Sequence, residues 1–383
     1  MGAIYFDHNA TTPLDPRVAA AMYPWLGERF GNASSIHSFG REALEAVEVA
    51  REEVAALLRV SPAEIVLTAS GTEANNTVLQ SCCQPEGQPG HLVVSAVEHP
   101  SVTRPVEFLE RRGYRVSWVE PDREGRIQAA TMTRAVRPET RLVCLVLANN
   151  VVGTVQPVAE VASLCRPMGV PVLCDAVQAV GKMGVHCEDL GVDYLTLGAH
   201  KFNGPLGAAA LWIRRGAPLE PLLRGGAQER QRRAGTQNVA AIVGMGKAAE
   251  LARVELPGRR RHLRELRDRF ESGLSEIPHA VVHGRWAERL PNTTHVAFQG
   301  VDNQALLIRL DLAGFAVSAG SACSSGTVEP SRTLLSMGLS EDDALSAIRV
   351  SFGAGNDRRQ VDQFLDVLMR QVAELRRLSG VAI

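Results

Sequence analysis

Residues 171–213 read PVLCDAVQAVGKMGVHCEDLGVDYLTLGAHKFNGPLGAAALWI. Three short apolar runs stand out in it: Pro171–Cys174, Tyr194–Leu197 and Ala208–Ile213. Each is too uniformly apolar for a sheet with one wet face; the first runs directly into Asp175, and the second reaches His200-Lys201 after Gly198-Ala199. Runs of this kind suit a mainly parallel sheet covered by helices on both sides. Outward from this stretch the pattern repeats. Ile65–Thr68, Leu92–Ala96, Arg115–Val119 and Leu142–Leu147 alternate with helical segments, and Ser70-Gly71-Thr72, Glu98-His99 and Asn149-Asn150 follow strand ends. Alternating strands and helices predict an α/β layered domain, with a mainly parallel seven-stranded sheet between helices. Ligands in such sheets collect beyond the carboxyl ends of the strands, and five strand ends here carry polar clusters.

The chain of 383 residues is long enough for two to three domains. Past the Arg- and Gln-rich stretch around Gly225–Gly235, a helix is predicted near Ala240–Val254. Pro257-Gly258 then marks a boundary. The remainder reads as a smaller α+β unit, with strands near Ala280–His283, Thr294–Phe298, Ala316–Ser318 and Ile348–Phe352. Its helices are predicted near Arg259–Ser275, Asn303–Leu312 and Gln360–Leu378. The expected division is 15–257 for the large domain, and 1–14 with 258–383 for the small one.

The net charge of -1 offers no field for nucleic acid or an acidic membrane surface. No apolar stretch approaches the ~20 residues needed to span a bilayer, and the N-terminus has no secretory pattern. The seven cysteines are scattered without zinc-type pairing, which reads as reduced thiols and a cytoplasmic protein. Lysine is scarce. Only Lys182, Lys201 and Lys247 occur, so lysine chemistry has three candidates.

Lys201 sits among small residues at a strand end, and a lysine forms a Schiff base once its amine is deprotonated by burial or nearby positive charge. Asp175 suits pairing with a pyridinium nitrogen, although a helix N-cap explains an aspartate there equally well. Gln178 and Asn150 are placed to bond a ring oxygen. Ser70-Gly71-Thr72-Glu73 lies between a strand and a helix, which fits a phosphate cradle and also a capping box. Gly235-Thr236 offers a second hydroxyl from a distant loop. His99 suits stacking on a ring or proton transfer, and a structural role fits it too. Arg349 suits bidentate capture of a carboxylate and equally a structural ion pair.

Cys323 stands in SAGSACSSGTVEP, residues 318–330, a run of small and polar residues that cannot supply a core. It reads as a mobile loop with the thiol near its centre, and a reactive thiolate needs that exposure. The other six cysteines lie in or beside apolar runs.

The chain resembles the class V branch of the fold-type I pyridoxal-phosphate enzymes and, within it, the cysteine desulfurases. The markers are Tyr5–Pro13 (YFDHNATTP), Phe30–His37 (FGNASSIH), Gly71–Asn76 (GTEANN), Glu98-His99-Pro100, Asp175–Gln178 (DAVQ), His200-Lys201, Arg224–Gly226, Arg233–Thr236 and Ser321–Cys323. The Ser-Ala-Cys-Ser-Ser loop is similar to that of the long-loop group, which supplies sulfur for iron–sulfur clusters. Two positions depart from the family pattern. Val151 stands where a Glu is usual, and Gly198-Ala199 replaces a phosphate-binding serine with backbone donors alone.

The resemblance implies pyridoxal 5′-phosphate as cofactor and L-cysteine as substrate. Lys201 would anchor the cofactor and act as base and acid, with Asp175 on the ring nitrogen, Gln178 and Asn150 on the phenolic oxygen, and His99 stacked over the ring. Gly71, Thr72, Gly198, Ala199 and His200 would bind the phosphate, joined by Thr236 from the partner subunit of a homodimer. Arg349, with Asn150, would hold the substrate. Cys323 would take the sulfur as a persulfide for an acceptor such as an iron–sulfur scaffold, and it is the one candidate ligand for a cluster. No other metal site, no nucleic acid and no membrane partner is expected. Selenocysteine lyase and another class V aminotransferase share most of this set. A cofactor-retaining sulfur-transfer or regulatory protein with little turnover is the alternative of a different kind.

Overall fold

The computed structural model describes residues 3–83, 89–320 and 330–380. Twelve strands are found among them: β1 (Ile4–Tyr5), β2 (Ile65–Thr68), β3 (His91–Ser95), β4 (Arg115–Val119), β5 (Thr140–Cys144), β6 (Val172–Asp175), β7 (Tyr194–Gly198), β8 (Ala209–Ile213), β9 (Ala280–His283), β10 (Thr293–Phe298), β11 (Phe315–Ala316) and β12 (Ala347–Ser351). Seven of them form one sheet in the order β2-β8-β7-β6-β5-β3-β4.

The strands β4, β3, β5, β6 and β7 pair in parallel, while β8 runs antiparallel to both β7 and β2. Two reversals restore direction, so β2 points the same way as β7. The carboxyl ends of β2, β3, β5, β6 and β7 therefore share one edge. Strands β2, β3, β6, β7 and β8 are buried along their whole length, as expected when helices cover both faces. The edge strand β4 begins on exposed Arg115, and β5 exposes Arg141 alone.

A second sheet, β12-β10-β9, is antiparallel, and β1 pairs in parallel with β11. It has its own aromatic core. Phe6 meets Phe352 edge-on at 5.2 Å and Phe270 stacks on Phe364 at 5.5 Å between centroids. The first strand and Phe6 are thus held by residues some 310 to 350 positions later.

One expected break is absent. The helix predicted to stop near Val254 and the one predicted to start at Arg259 are a single helix, Val239–Gly273, with Pro257 inside it. Proline removes one i→i−4 bond and crowds the preceding turn, yet packing on both sides outweighs that cost. Ala241 to Ala252 join the core of the large sheet, and Leu263, Leu266 and Phe270 join the aromatic core. The change of core falls across Pro257 without a change of secondary structure.

Candidate active site

Along the shared edge of the strands lies a cleft of about 550 Å3. Its floor comes from Ser70, Gly71 and Thr72 after β2, His99 after β3, Asn150 after β5, Asp175 and Gln178 at β6, and His200 and Lys201 after β7. Asp7, Asn9 and Ala10 close it from the N-terminal segment, and Ser318, Gly320 and Arg349 from the smaller sheet. A larger groove of about 790 Å3 lies along the helix Pro100–Arg111; it shares Thr72 and Ser101 with the cleft but takes in none of His99, Asn150, Asp175, His200 or Lys201.

Lys201 ends a single helical turn, Ala199–Lys201, directly after β7. Its Nζ donates to the carbonyl oxygens of Asn9 at 2.6 Å and Ala10 at 2.7 Å. Burial depresses its pKa to about 8, helped by the positive charge of Arg349 and opposed by Asp175 and Asp7. A lysine so placed supplies the neutral amine that a nucleophile needs near neutral pH. His200, pressed to about 4 by burial and by Lys201, is neutral, with Nδ1 3.2 Å from Thr11 Oγ1.

Asp175 closes β6 and is buried. Its Oδ1 accepts from the N–H of Val177 at 3.0 Å and its Oδ2 from Asn75 Nδ2 at 2.8 Å. The first bond caps a turn, and no helix begins there, so the helix-cap explanation is set aside. Asn75 also donates to Ser101 Oγ at 2.9 Å, and that hydroxyl lies 2.9 Å from His99 Nδ1. His99 Nδ1 accepts the N–H of Ser101 and so caps the helix Pro100–Arg111. An accepting Nδ1 puts the ring proton on Nε2, and desolvation lowers the pKa despite Asp175 nearby. The structural role and the cleft-lining role of His99 hold together.

At the other end, Ser70 Oγ accepts from Glu73 N at 3.1 Å to start the helix Gly71–Cys82. The expected capping box does not close. Glu73 reaches Ala69 N at 2.8 Å and Arg233 Nε at 2.8 Å instead of the N–H of Ser70. The N–H groups of Gly71 and Thr72 lack intrahelical acceptors by position and open toward the cleft. A Cβ at Gly71 would lie 2.8 Å from Val177 Cγ2, so the turn admits no side chain. This is an anion cradle of the kind helix starts provide.

Arg349, on β12, donates through one terminal nitrogen to the carbonyl of Asn150 at 2.9 Å and through the other to Asp7 Oδ1 at 2.5 Å. Its buried Nε has no partner among the described residues. The ion pair foreseen as an alternative exists, and a donor remains beside the cleft.

Gly198 and Ala199 are buried and do not line the cleft. Thr236 is exposed and stands outside it. Cys323 lies outside the residues that the structure describes, although Ser318 and Gly320, just before it, line the cleft. Val151, the departure from the usual Glu, packs with Val152, Leu334, Met337 and Ala344 in a small apolar cluster. Among the described residues, no three His, Cys, Asp or Glu side chains gather as a metal site. None of their helices is long and apolar enough to cross a membrane. Asp7, Asn9, Ser101 and Lys182 are contributors to which the sequence alone gives no role. The first two stand in the marker Tyr5–Pro13, which was the available signal.

A half-buried lysine of depressed pKa, a carboxylate, an amide pair and an anion cradle at the carboxyl ends of a doubly covered sheet are the groups that a lysine-anchored cofactor enzyme requires. The family model for class-V aminotransferases matches residues 4–364, and the chain belongs to that family. It is 44% identical over 382 residues to a cysteine desulfurase of Gluconacetobacter diazotrophicus, covering 99% of this chain and 96% of that protein. Among solved structures it is similar to a NifS-like protein (TM-score 0.91, 36% identity, 97% of this chain and 100% of that one). It is also similar to a structure described as SspA in complex with cysteine (TM-score 0.81, 32% identity, 91% and 98%). The cofactor is pyridoxal 5′-phosphate. The amine of Lys201, the carboxylate of Asp175 and the cradle at Gly71 fit it.

Proposed function

We propose that the protein is a cysteine desulfurase, converting L-cysteine to L-alanine and leaving the sulfur as a persulfide on Cys323. The observation that carries this is the depressed lysine amine of Lys201, set in one cleft with Asp175, His99, Gln178 and a guanidinium. The cysteine desulfurase similarity along nearly the whole chain supports the substrate.

Lys201 would hold the cofactor covalently, Asp175 would meet its ring nitrogen, Gln178 and Asn150 its phenolic oxygen, and His99 its ring face. The backbone of Gly71 and Thr72 would hold its phosphate, with His200 and the backbone of Gly198 and Ala199 behind. Bound pyridoxal phosphate supplies an electron sink for charge developing at the substrate Cα. Arg349 orients the substrate carboxylate, while Lys201 takes the Cα proton and returns a proton to product carbon. Cys323, as thiolate, attacks the substrate sulfur. The S–S bond forms as the C–S bond breaks, and the electron pair left on Cβ takes up a proton to give the methyl group of alanine.

Thr236 would serve the partner's site in a homodimer. Its exposure supports this, as do the exposed apolar residues Tyr23, Leu26, Phe30 and Ile36 gathered in one N-terminal segment. The division into 15–257 and 1–14 with 258–383 is supported by the two separate cores. The setting would be cytoplasmic, and the acceptor a scaffold or carrier protein with a free thiol. The test is direct. With L-cysteine and a reductant, purified protein should release sulfide and alanine in equal amounts, and Cys323→Ser should abolish sulfide release while retaining cofactor. Normal turnover by that variant would sink the persulfide route.

A further inference from the structure

Behind the cleft lies a second lysine that the reaction does not use. Lys182 is buried, only 4% exposed, and its Nζ donates to Gln178 Oε1 at 2.8 Å and to Asn9 Oδ1 at 3.0 Å. Gln178 in turn donates one N–H of its amide to the carbonyl oxygen of Asn9 at 2.9 Å. The amide oxygen and one amide hydrogen are thus both engaged away from the cleft. What Gln178 offers to the cleft is its second N–H.

We propose that Lys182 is a positioning residue, whose amine fixes the Gln178 amide so that a donor, never an acceptor, faces the cofactor's phenolic oxygen. A flipped amide would set its oxygen against the Asn9 carbonyl oxygen, where no proton is available. Its NH2 group would face the Lys182 amine, which would have to turn its lone pair that way and leave the N–H now given to Gln178 without an acceptor. A buried acceptor pair set face to face and a buried donor left unpaired are both costly. Lys182 ties the same lock to the anchor, because the Asn9 carbonyl that receives Gln178 also receives Lys201. The two acceptors around Lys182 match the two N–H groups of an unprotonated amine. Burial, together with Lys201 and Arg349, drives its pKa well below the ordinary lysine value.

This inference rests on the reading that Gln178 contacts the phenolic oxygen. A donor there favours the ionised oxygen, so its loss raises the pH at which the absorbance bands of the bound cofactor interchange. The experiment is a pH titration of holoenzyme absorbance, with cofactor affinity measured in parallel by titrating apo-protein with pyridoxal phosphate. Lys182→Met should raise the midpoint by about one pH unit, tenfold in proton affinity, and weaken cofactor binding. Gln178→Met should do the same, and the double variant should go no further. Lower thermal stability with an unchanged midpoint in Lys182→Met, beside a shifted Gln178→Met, would overturn the proposal while leaving the Gln178 contact standing. Additive shifts would overturn it as well. If Gln178→Met itself shifts nothing, the Gln178 contact is wrong and the proposal falls with it. Should Lys182→Met not fold, Lys182→Gln replaces it. Its polar stem is better tolerated and its donor ends one bond short of Gln178, so the same rise is expected and its absence is equally decisive.

Discussion

The amine of Lys201 lies 2.6 Å from the backbone carbonyl oxygen of Asn9, a residue 192 positions earlier in the chain. Asn9 also accepts Lys182 and Asn292 on its side-chain oxygen and donates to Thr293 Oγ1. One asparagine therefore links the lysine of the large sheet to strand β10 of the small one.

Truncating that asparagine should be felt in stability before activity. In Asn9→Ala, the buried donors of Lys182 and Asn292 lose an acceptor and Thr293 loses a donor, at about 1–3 kcal/mol for each group left unsatisfied. We expect a lower urea midpoint together with faster loss of cofactor on dialysis. An unchanged midpoint would show that the network is not under load.

The pH dependence of cofactor capture follows from Lys201. Its amine reacts when unprotonated, and burial with Arg349 places the midpoint at about 8. The rate at which apo-protein takes up pyridoxal phosphate should rise with pH and level off above that value. Removing the positive charge in Arg349→Met should move the midpoint upward. A downward move would contradict the assigned cause.

Much of this site was legible because strand ends announce themselves. Asp175, His99, Asn150 and Lys201 each follow a run of buried apolar residues, and a doubly covered sheet brings such ends to one edge. Asn9, Asp7 and Lys182 were not legible in this way. Asn9 and Asp7 reach the cleft through long-range pairing of the N-terminus with β11 and β12, which no local pattern reports. Lys182 acts on the far side of Gln178, with nothing in its neighbours to separate it from a surface lysine in a turn. The continuity of the helix Val239–Gly273 is hidden in the sequence for the opposite reason. Pro257 is a strong local stop signal, and packing into two cores overrides it.

Arg349 offers a separate test, of substrate binding. Lysine keeps the charge of arginine but loses the planar fork and cannot serve Asp7, Asn150 and a substrate carboxylate together. Losing one charged hydrogen bond of about 1.5–3 kcal/mol predicts that Arg349→Lys raises KM for L-cysteine roughly 10- to 100-fold. The value of kcat should change much less. A fall confined to kcat would argue that Arg349 acts in the reacting state and not in binding.

Glu98 sets the pH dependence of stability in an unusual direction for a carboxyl group. Its Oε1 accepts from Ser95 Oγ at 2.5 Å and Val146 N at 2.6 Å, while Oε2 is buried with no partner among the described residues. Burial, reinforced by the charge of Asp175, lifts its pKa to about 8. The folded protein thus holds a proton that the unfolded chain gives up near pH 4.5. Between those values the native state binds more protons, so this group's contribution to stability is complete below about 4.5 and declines as pH rises to about 8. At about 1.4 kcal/mol for each tenfold gain in proton affinity, the contribution amounts to a few kcal/mol. Glu98→Gln keeps an oxygen for Ser95 and Val146 but cannot ionise. Urea unfolding of the two proteins from pH 5 to 8.5 should show the stability difference moving steadily in favour of the variant as pH rises. Parallel curves across that range would mean that Glu98 is already ionised in the folded protein at neutral pH, with a counter-charge near Oε2 that the described residues do not supply.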